Sequence, residues 1–156
     1  MNRRNLLTII PAAIALAAGT AAAQQSPDTE GVKAASKAFY AALAVIDNGE
    51  AMEKVFAHTP YVTYVGPRSK SIVVGWDALS KYWQDANKLF NSRNVSLSVF
   101  YIHINGNLAY EIGQEIGQQV FKDGRADEVH YIASNVYEKL DGRWLMISHH
   151  VQPKPQ

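Results

Sequence analysis

A chain of 156 residues with 15 Lys+Arg against 14 Asp+Glu suits one domain, and it carries no field strong enough to hold nucleic acid. It has no cysteine, which excludes disulfides, thiolate nucleophiles and Cys-ligated metals.

The first 23 residues read as an export signal. Arg3-Arg4 is a positive start, Leu6 to Ala18 is largely apolar, and Ala21-Ala22-Ala23 offers an A-x-A cleavage site. The apolar run is short, alanine-rich and broken by Pro11, which argues against a membrane anchor. Arg3-Arg4-Asn5-Leu6-Leu7 partly matches a twin-arginine signal, so general secretion and twin-arginine export both stand open. A periplasmic or secreted product is expected, with no membrane attachment once the signal is removed. It would keep 13 basic and 14 acidic side chains, a net charge of −1.

Residues 24–31 are polar and read as a flexible lead-in, and residues 32–152 as the domain. From Val32 to Asp47 the residues Val32, Ala35, Phe39, Ala42, Leu43 and Ile46 fall on one helical stripe, closed by Asn48-Gly49. Ala51 to Phe56 suits a short helix. Tyr61 to Val65 and Ile72 to Val74 are β-rich and bounded by Pro and Gly. Trp76 to Phe90 is a second long helix with Trp76, Leu79, Trp83, Ala86 and Phe90 inward. Val95 to Asn105 and Leu108 to Phe121 then alternate as strands around Asn105-Gly106-Asn107.

The last element, Val129 to Val151, reads as a hairpin. Asp141-Gly142 suits a type I′ turn, which accepts φ > 0 at both central positions. Counting outward from Leu140 opposite Arg143 pairs Tyr137 with Met146, Asn135 with Ser148 and Ala133 with His150. One face then carries Tyr131, Asn135, Tyr137, Trp144, Met146, Ser148 and His150. The other carries Ile132, Val136, Leu145, Ile147, His149 and Val151. Helices followed by four long antiparallel strands indicate an α+β fold.

Gly106-Asn107-Leu108-Ala109-Tyr110-Glu111-Ile112-Gly113 and Asp141-Gly142-Arg143-Trp144, with His150 six residues after that Trp, resemble the SnoaL-like branch (including DUF4440) of the NTF2-like superfamily. Ser92-Arg93-Asn94 and the same hairpin also resemble the association domain of calcium/calmodulin-dependent kinase. The resemblance spans about residues 32 to 152. It implies a cystatin-like cone, in which a strongly curved sheet wraps two long helices and one short one. It also implies a pocket in the concave face and a homodimer through the convex one. Function is not implied, because the superfamily mixes enzymes with binding and assembly domains.

Aligned on Phe39-Tyr40-Ala41-Ala42-Leu43, the place of the ketosteroid isomerase oxyanion tyrosine holds Phe39, and that of its base carboxylate holds Tyr64. Steroid isomerisation by that mechanism is therefore rejected. A dehydratase-like histidine–carboxylate pair lacks an evident carboxylate.

His150 is the first candidate for acid–base work, because its face also carries Ser148, Asn135 and Tyr131. A histidine simply bonded to a strand neighbour is the competing reading. Tyr40, Tyr64, Trp83, Phe90, Tyr110 and Tyr131 would line the pocket around a small, mostly apolar ligand. Arg93, at the end of the second helix, would attract a carboxylate. His149 is expected to point away. Glu111 and Glu115, about 13 Å apart along one strand face, are expected on the convex side. No His-x-His or Glu-x-x-His cluster is present, so no metal and no cofactor is expected. The alternative function is a non-catalytic dimerisation, oligomerisation or ligand-sensing module.

Overall fold

The computed structural model describes residues 26–154, and the proposed export signal lies outside them. α1 (Pro27–Ala44) starts earlier than the periodicity alone suggests. Ser26 caps it by accepting from the Thr29 N–H, and Pro27 occupies the first turn. Asp28 then ties that turn to the far hairpin, accepting from Lys139 Nζ at 2.5 Å and Trp144 Nε1 at 3.2 Å. Residues 27–31 are therefore helix, which corrects the expected flexible lead-in. Gly31 is needed there, because a Cβ would lie 2.6 Å from the Trp144 ring.

α1 ends at Ala44, three residues before the expected stop, because Asp47 serves the next helix. Its carboxylate accepts from the Gly49 and Ala51 N–H groups at the start of α2 (Glu50–Glu53). β1 (Thr63–Val65) and β2 (Val73–Val74) form a small antiparallel pair. α3 (Trp76–Asn87) follows, and β3 (Phe90–Asn105) begins at once. Phe90 and Arg93 are thus strand residues rather than helix-end residues. β4 (Leu108–Phe121), β5 (Ala126–Leu140) and β6 (Arg143–Pro153) complete one sheet in the order β2-β1-β6-β5-β4-β3. β3 to β6 run antiparallel, and β1 adds to β6 in parallel. The turn at Asp141 (φ 48°) and Gly142 (φ 78°) has the expected left-handed pair.

The sheet bends around α1 and α3. Glycine makes that bend possible in β4, where a Cβ on Gly117 would meet the Asn94 carbonyl oxygen at 1.9 Å. In the hollow Phe39, Phe56, Tyr64, Trp83, Tyr137 and Met146 form the core. Phe39 meets Phe56 edge-on at 5.7 Å, and Tyr64 meets Trp83 at 5.0 Å.

Two expectations about sheet faces are overturned. In the last hairpin Tyr137 pairs with Met146 as expected, but Val136 pairs with Ser148, leaving Ile147 as a one-residue bulge. Beyond it the parity flips, so Asn135 faces His149 and Ala133 faces Val151. His149 is buried and His150 exposed, the reverse of the expected orientation. Ser148 leaves the hollow too, and its hydroxyl bonds Thr63 Oγ1 at 2.8 Å. In β4 the inward residues are Ala109, Glu111, Gly113, Glu115 and Gln119, while Tyr110, Ile112 and Ile116 are outside and exposed. The hydrophobic side of β4 is its convex side, so the expectation that apolar residues mark the hollow fails there.

Candidate functional site

The hollow holds a connected set of polar side chains on adjacent strands. Glu111 and Asn135 are register partners on β4 and β5, and Asn135 and His149 are partners on β5 and β6. Strand pairing alone therefore brings these three together. Asn135 Nδ2 donates to Glu111 Oε1 at 2.8 Å and to Tyr40 Oη at 3.4 Å. Its Oδ1 faces His149 Nδ1 at 2.6 Å. Because the Asn oxygen can only accept, His149 carries its proton on Nδ1. The free Nε2 lone pair then points toward Glu115 Oε1, 3.7 Å away. Tyr40 donates to that same Glu115 oxygen at 2.9 Å, and Tyr137 donates to Glu111. His149, Asn135, Tyr40 and Glu115 thus close a ring.

Burial sets the charges in this ring. Loss of water raises Glu115 to about 7, partly opposed by the hydrogen bond from Tyr40. Loss of water, with a smaller push from His150, lowers His149 to about 3. Both shifts favour a neutral pair, with a proton on the Glu115 carboxyl and none on His149 Nε2. At 3.7 Å the two heavy atoms are too far apart for a direct hydrogen bond. The imidazole is held flat, stacked on Tyr64 at 5.2 Å and tilted against Phe39 at 4.8 Å.

Glu115 and His149 open into a cavity of about 120 Å³ between α3 and the sheet. Tyr64, Trp83, Phe90, Arg93 and Tyr131 line it as the sequence suggested, together with Gln119 and Val129. Asn135 lies behind this wall, bonded to His149. Tyr40 reaches the site through Glu115 and lines a second opening of about 240 Å³ beside α1. Tyr110, Ser148 and His150 lie outside the hollow, and their expected pocket orientation is corrected by the bulge and by the β4 face. Glu111, Glu115, His149 and Gln119 are the residues the sequence reading placed elsewhere or passed over. Gly113 and Gly117 were the available signal, since the inner side of a sharply bent strand favours residues without a Cβ. Among the described residues no three His, Asp or Glu side chains are placed to hold a metal ion.

This arrangement of a bent sheet, three helices and a one-sided cavity defines an NTF2-like fold. The family model of the SnoaL-like domain matches residues 32–152, and the chain belongs to that family. No curated protein matches it. Its structural neighbours include an NTF2-like superfamily protein from Salmonella enterica, with 20% identity over 83% of this chain and 89% of that one, TM-score 0.70. A Streptomyces avermitilis protein of the NTF2-like family, provisionally assigned as a dehydratase, has 19% identity over 84% and 100%, TM-score 0.70. A Thiobacillus denitrificans protein, provisionally assigned as a calcium/calmodulin-dependent protein kinase type II association domain, has 23% identity over 79% and 94%, TM-score 0.67. At these identities the likeness is one of fold.

Proposed function

We propose that the chain is an exported SnoaL-like domain that binds a small, mostly apolar molecule in the hollow of its sheet. It acts on that molecule by proton transfer at Glu115, whose carboxyl is held beside the neutral imidazole of His149. The observation that carries this reading is the Glu115–His149 pair, buried at one wall of an aromatic cavity. A carboxyl near 7 is poised to give or take a proton at neutral pH, where general acid–base catalysis works best. His149 offers a lone pair at Nε2, fixed by Asn135. Lyase or isomerase chemistry, which moves a proton beside a carbonyl or a leaving hydroxyl, suits these two groups. The dehydratase assignment of the Streptomyces neighbour belongs to that class. Residues 1–23 support export to the periplasm or beyond.

Native mass spectrometry of protein drawn directly from cells tests the binding claim. A retained small molecule is expected, and it should be absent from Ala86→Trp, which sets an indole on the cavity lining. An empty wild-type protein under gentle ionisation would contradict the claim.

The outer sheet face favours a second reading, a dimerisation or ligand-sensing module without catalysis. Tyr101, Tyr110, Ile112 and Ile116 are all exposed there, and Tyr101 lies 5.9 Å from Tyr110. A homodimer through this convex face would cover them. The two readings are compatible in one molecule. They separate if Ile112→Lys makes a monomer in sedimentation and abolishes the protein's biological effect, while Glu115→Gln leaves that effect intact.

A further inference from the structure

The cavity has a second polar end, away from the Glu115–His149 pair, and it consists of donors. Arg93 and Gln119 are register partners on β3 and β4, so their side chains stand next to each other on the inner face. Arg93 is only 6% exposed, and its charge meets neutral groups. Nε donates to the Leu43 carbonyl at 2.9 Å, and one Nη donates to Asn87 Oδ1. Asp47 is the nearest acid acting on it, and its carboxylate is already occupied by the Gly49 and Ala51 N–H groups. The guanidinium lies over the Trp83 and Phe90 rings, at 5.6 and 4.8 Å.

Two more donors in the same wall lack an acceptor within hydrogen-bond distance, although Gln119 lies close enough to the Tyr131 hydroxyl to oppose part of the rise that burial gives it. Gln119 Nε2 and Trp83 Nε1 are fully buried without a hydrogen-bond partner among the described residues. Gln119 is 6% exposed and Trp83 1%. Buried polar groups are nearly always paired, and leaving one unpaired costs about 1–3 kcal/mol. An arginine without a bonded acid, an amide N–H and an indole N–H around one small space call for an acceptor bearing negative charge.

We infer that the molecule taken into this cavity carries a carboxylate, which is held by Arg93, Gln119 and Trp83, while its apolar body lies between Tyr64, Tyr82 and Tyr131. The inference rests on the binding reading above and names the ligand class for that site. Size narrows it further. A closed cavity of about 150 Å³ admits benzene; this one is a little smaller, about 120 Å³, but open on one side, so it suits a monocarboxylic acid with a small flat or branched body. Glu115 does not compete for this end, because it is four residues from Gln119 on the same face of β4, about 13 Å along the strand. The carboxylate is therefore an anchor, and the atoms at the opposite end of the molecule meet the acid–base pair.

Benzoate and benzyl alcohol, alike in shape and different in charge, test this by isothermal titration of the wild-type protein and Gln119→Glu. Arg93 also ties α1 to α3 and its removal risks the fold, whereas Gln119→Glu is nearly isosteric and sets a negative charge beside Arg93. Benzoate should bind the wild type at least about tenfold more tightly than benzyl alcohol, as a charge-assisted bond predicts. Gln119→Glu should weaken benzoate by about tenfold or more and leave the alcohol within about twofold. Equal binding of both probes, or benzoate affinity unchanged in Gln119→Glu, overturns the carboxylate assignment and leaves the cavity reading standing. If neither probe binds at millimolar concentration, both fall.

Discussion

His149 Nδ1 lies 2.6 Å from Asn135 Oδ1, and this contact exists because Ile147 bulges out of the strand between His149 and Met146. The bulge decides which of two adjacent histidines enters the hollow. Its consequences can be measured by truncation. His149→Ala removes a ring packed on Phe39 and Tyr64 and leaves Asn135 Oδ1 without a donor, so a loss of about 2–4 kcal/mol is expected. His150→Ala removes an exposed side chain and should stay within about 0.5 kcal/mol. Denaturant unfolding of both variants checks this, and equal losses would contradict the assignment of faces.

The two buried titrating groups make opposite contributions to stability. Folded Glu115, raised from 4.5 to about 7, holds a proton that the unfolded chain releases. Its stabilising effect is complete below 4.5 and is lost as pH rises through 7. Folded His149, lowered from 6.5 to about 3, refuses a proton that the unfolded chain takes up. Its effect is complete above 6.5 and is lost as pH falls toward 3. Between 4.5 and 6.5 the two slopes cancel. Glu115→Gln keeps an acceptor for Tyr40 but deletes one slope. The variant's stability should climb with pH over this window at a rate approaching roughly 1.4 kcal/mol per pH unit, while the wild type stays nearly flat. Parallel curves from urea unfolding at a series of pH values would contradict the shifts.

The bend of β4 depends on a backbone contact that tolerates no side chain. Gly117→Ala puts a methyl 1.9 Å from the Asn94 carbonyl oxygen, at φ +151°, and should cost about 3 kcal/mol or more. Gly124→Ala, in an open turn at φ +85°, carries only the left-handed backbone penalty of about 1–2 kcal/mol. Thermal unfolding ranks the pair, and the opposite ranking would place the bend elsewhere.

Element order and type were readable because they rest on local pattern. The Trp76, Leu79, Trp83 stripe gave α3, and Asp141-Gly142 gave the final hairpin. The family resemblance gave the cone. What could not be read was parity. Strand alternation has a period of two, so one bulged residue at Ile147 exchanges His149 with His150, and hydropathy leaves no mark of it. β4 misleads for another reason. Its Tyr110, Ile112 and Ile116 lie exposed on the outside of the sheet, and its carboxylates are buried with their partners Tyr40, Asn135 and Tyr137. A polar strand face is a surface only when nothing else in the fold satisfies its hydrogen bonds. Arg93 lines the cavity, from a strand instead of a helix end.

Everything above turns on Glu115 and His149 facing each other inside the cavity as a neutral pair, the proton on the carboxyl. NMR of selectively labelled protein reads it directly, following the Glu115 side-chain carboxyl carbon and the His149 ring nitrogens through a pH titration. The expected result is a Glu115 midpoint near 7 and a His149 ring that stays neutral, protonated on Nδ1 alone, down to about pH 4. A Glu115 midpoint near 4.5 with His149 titrating near 6.5 would contradict it.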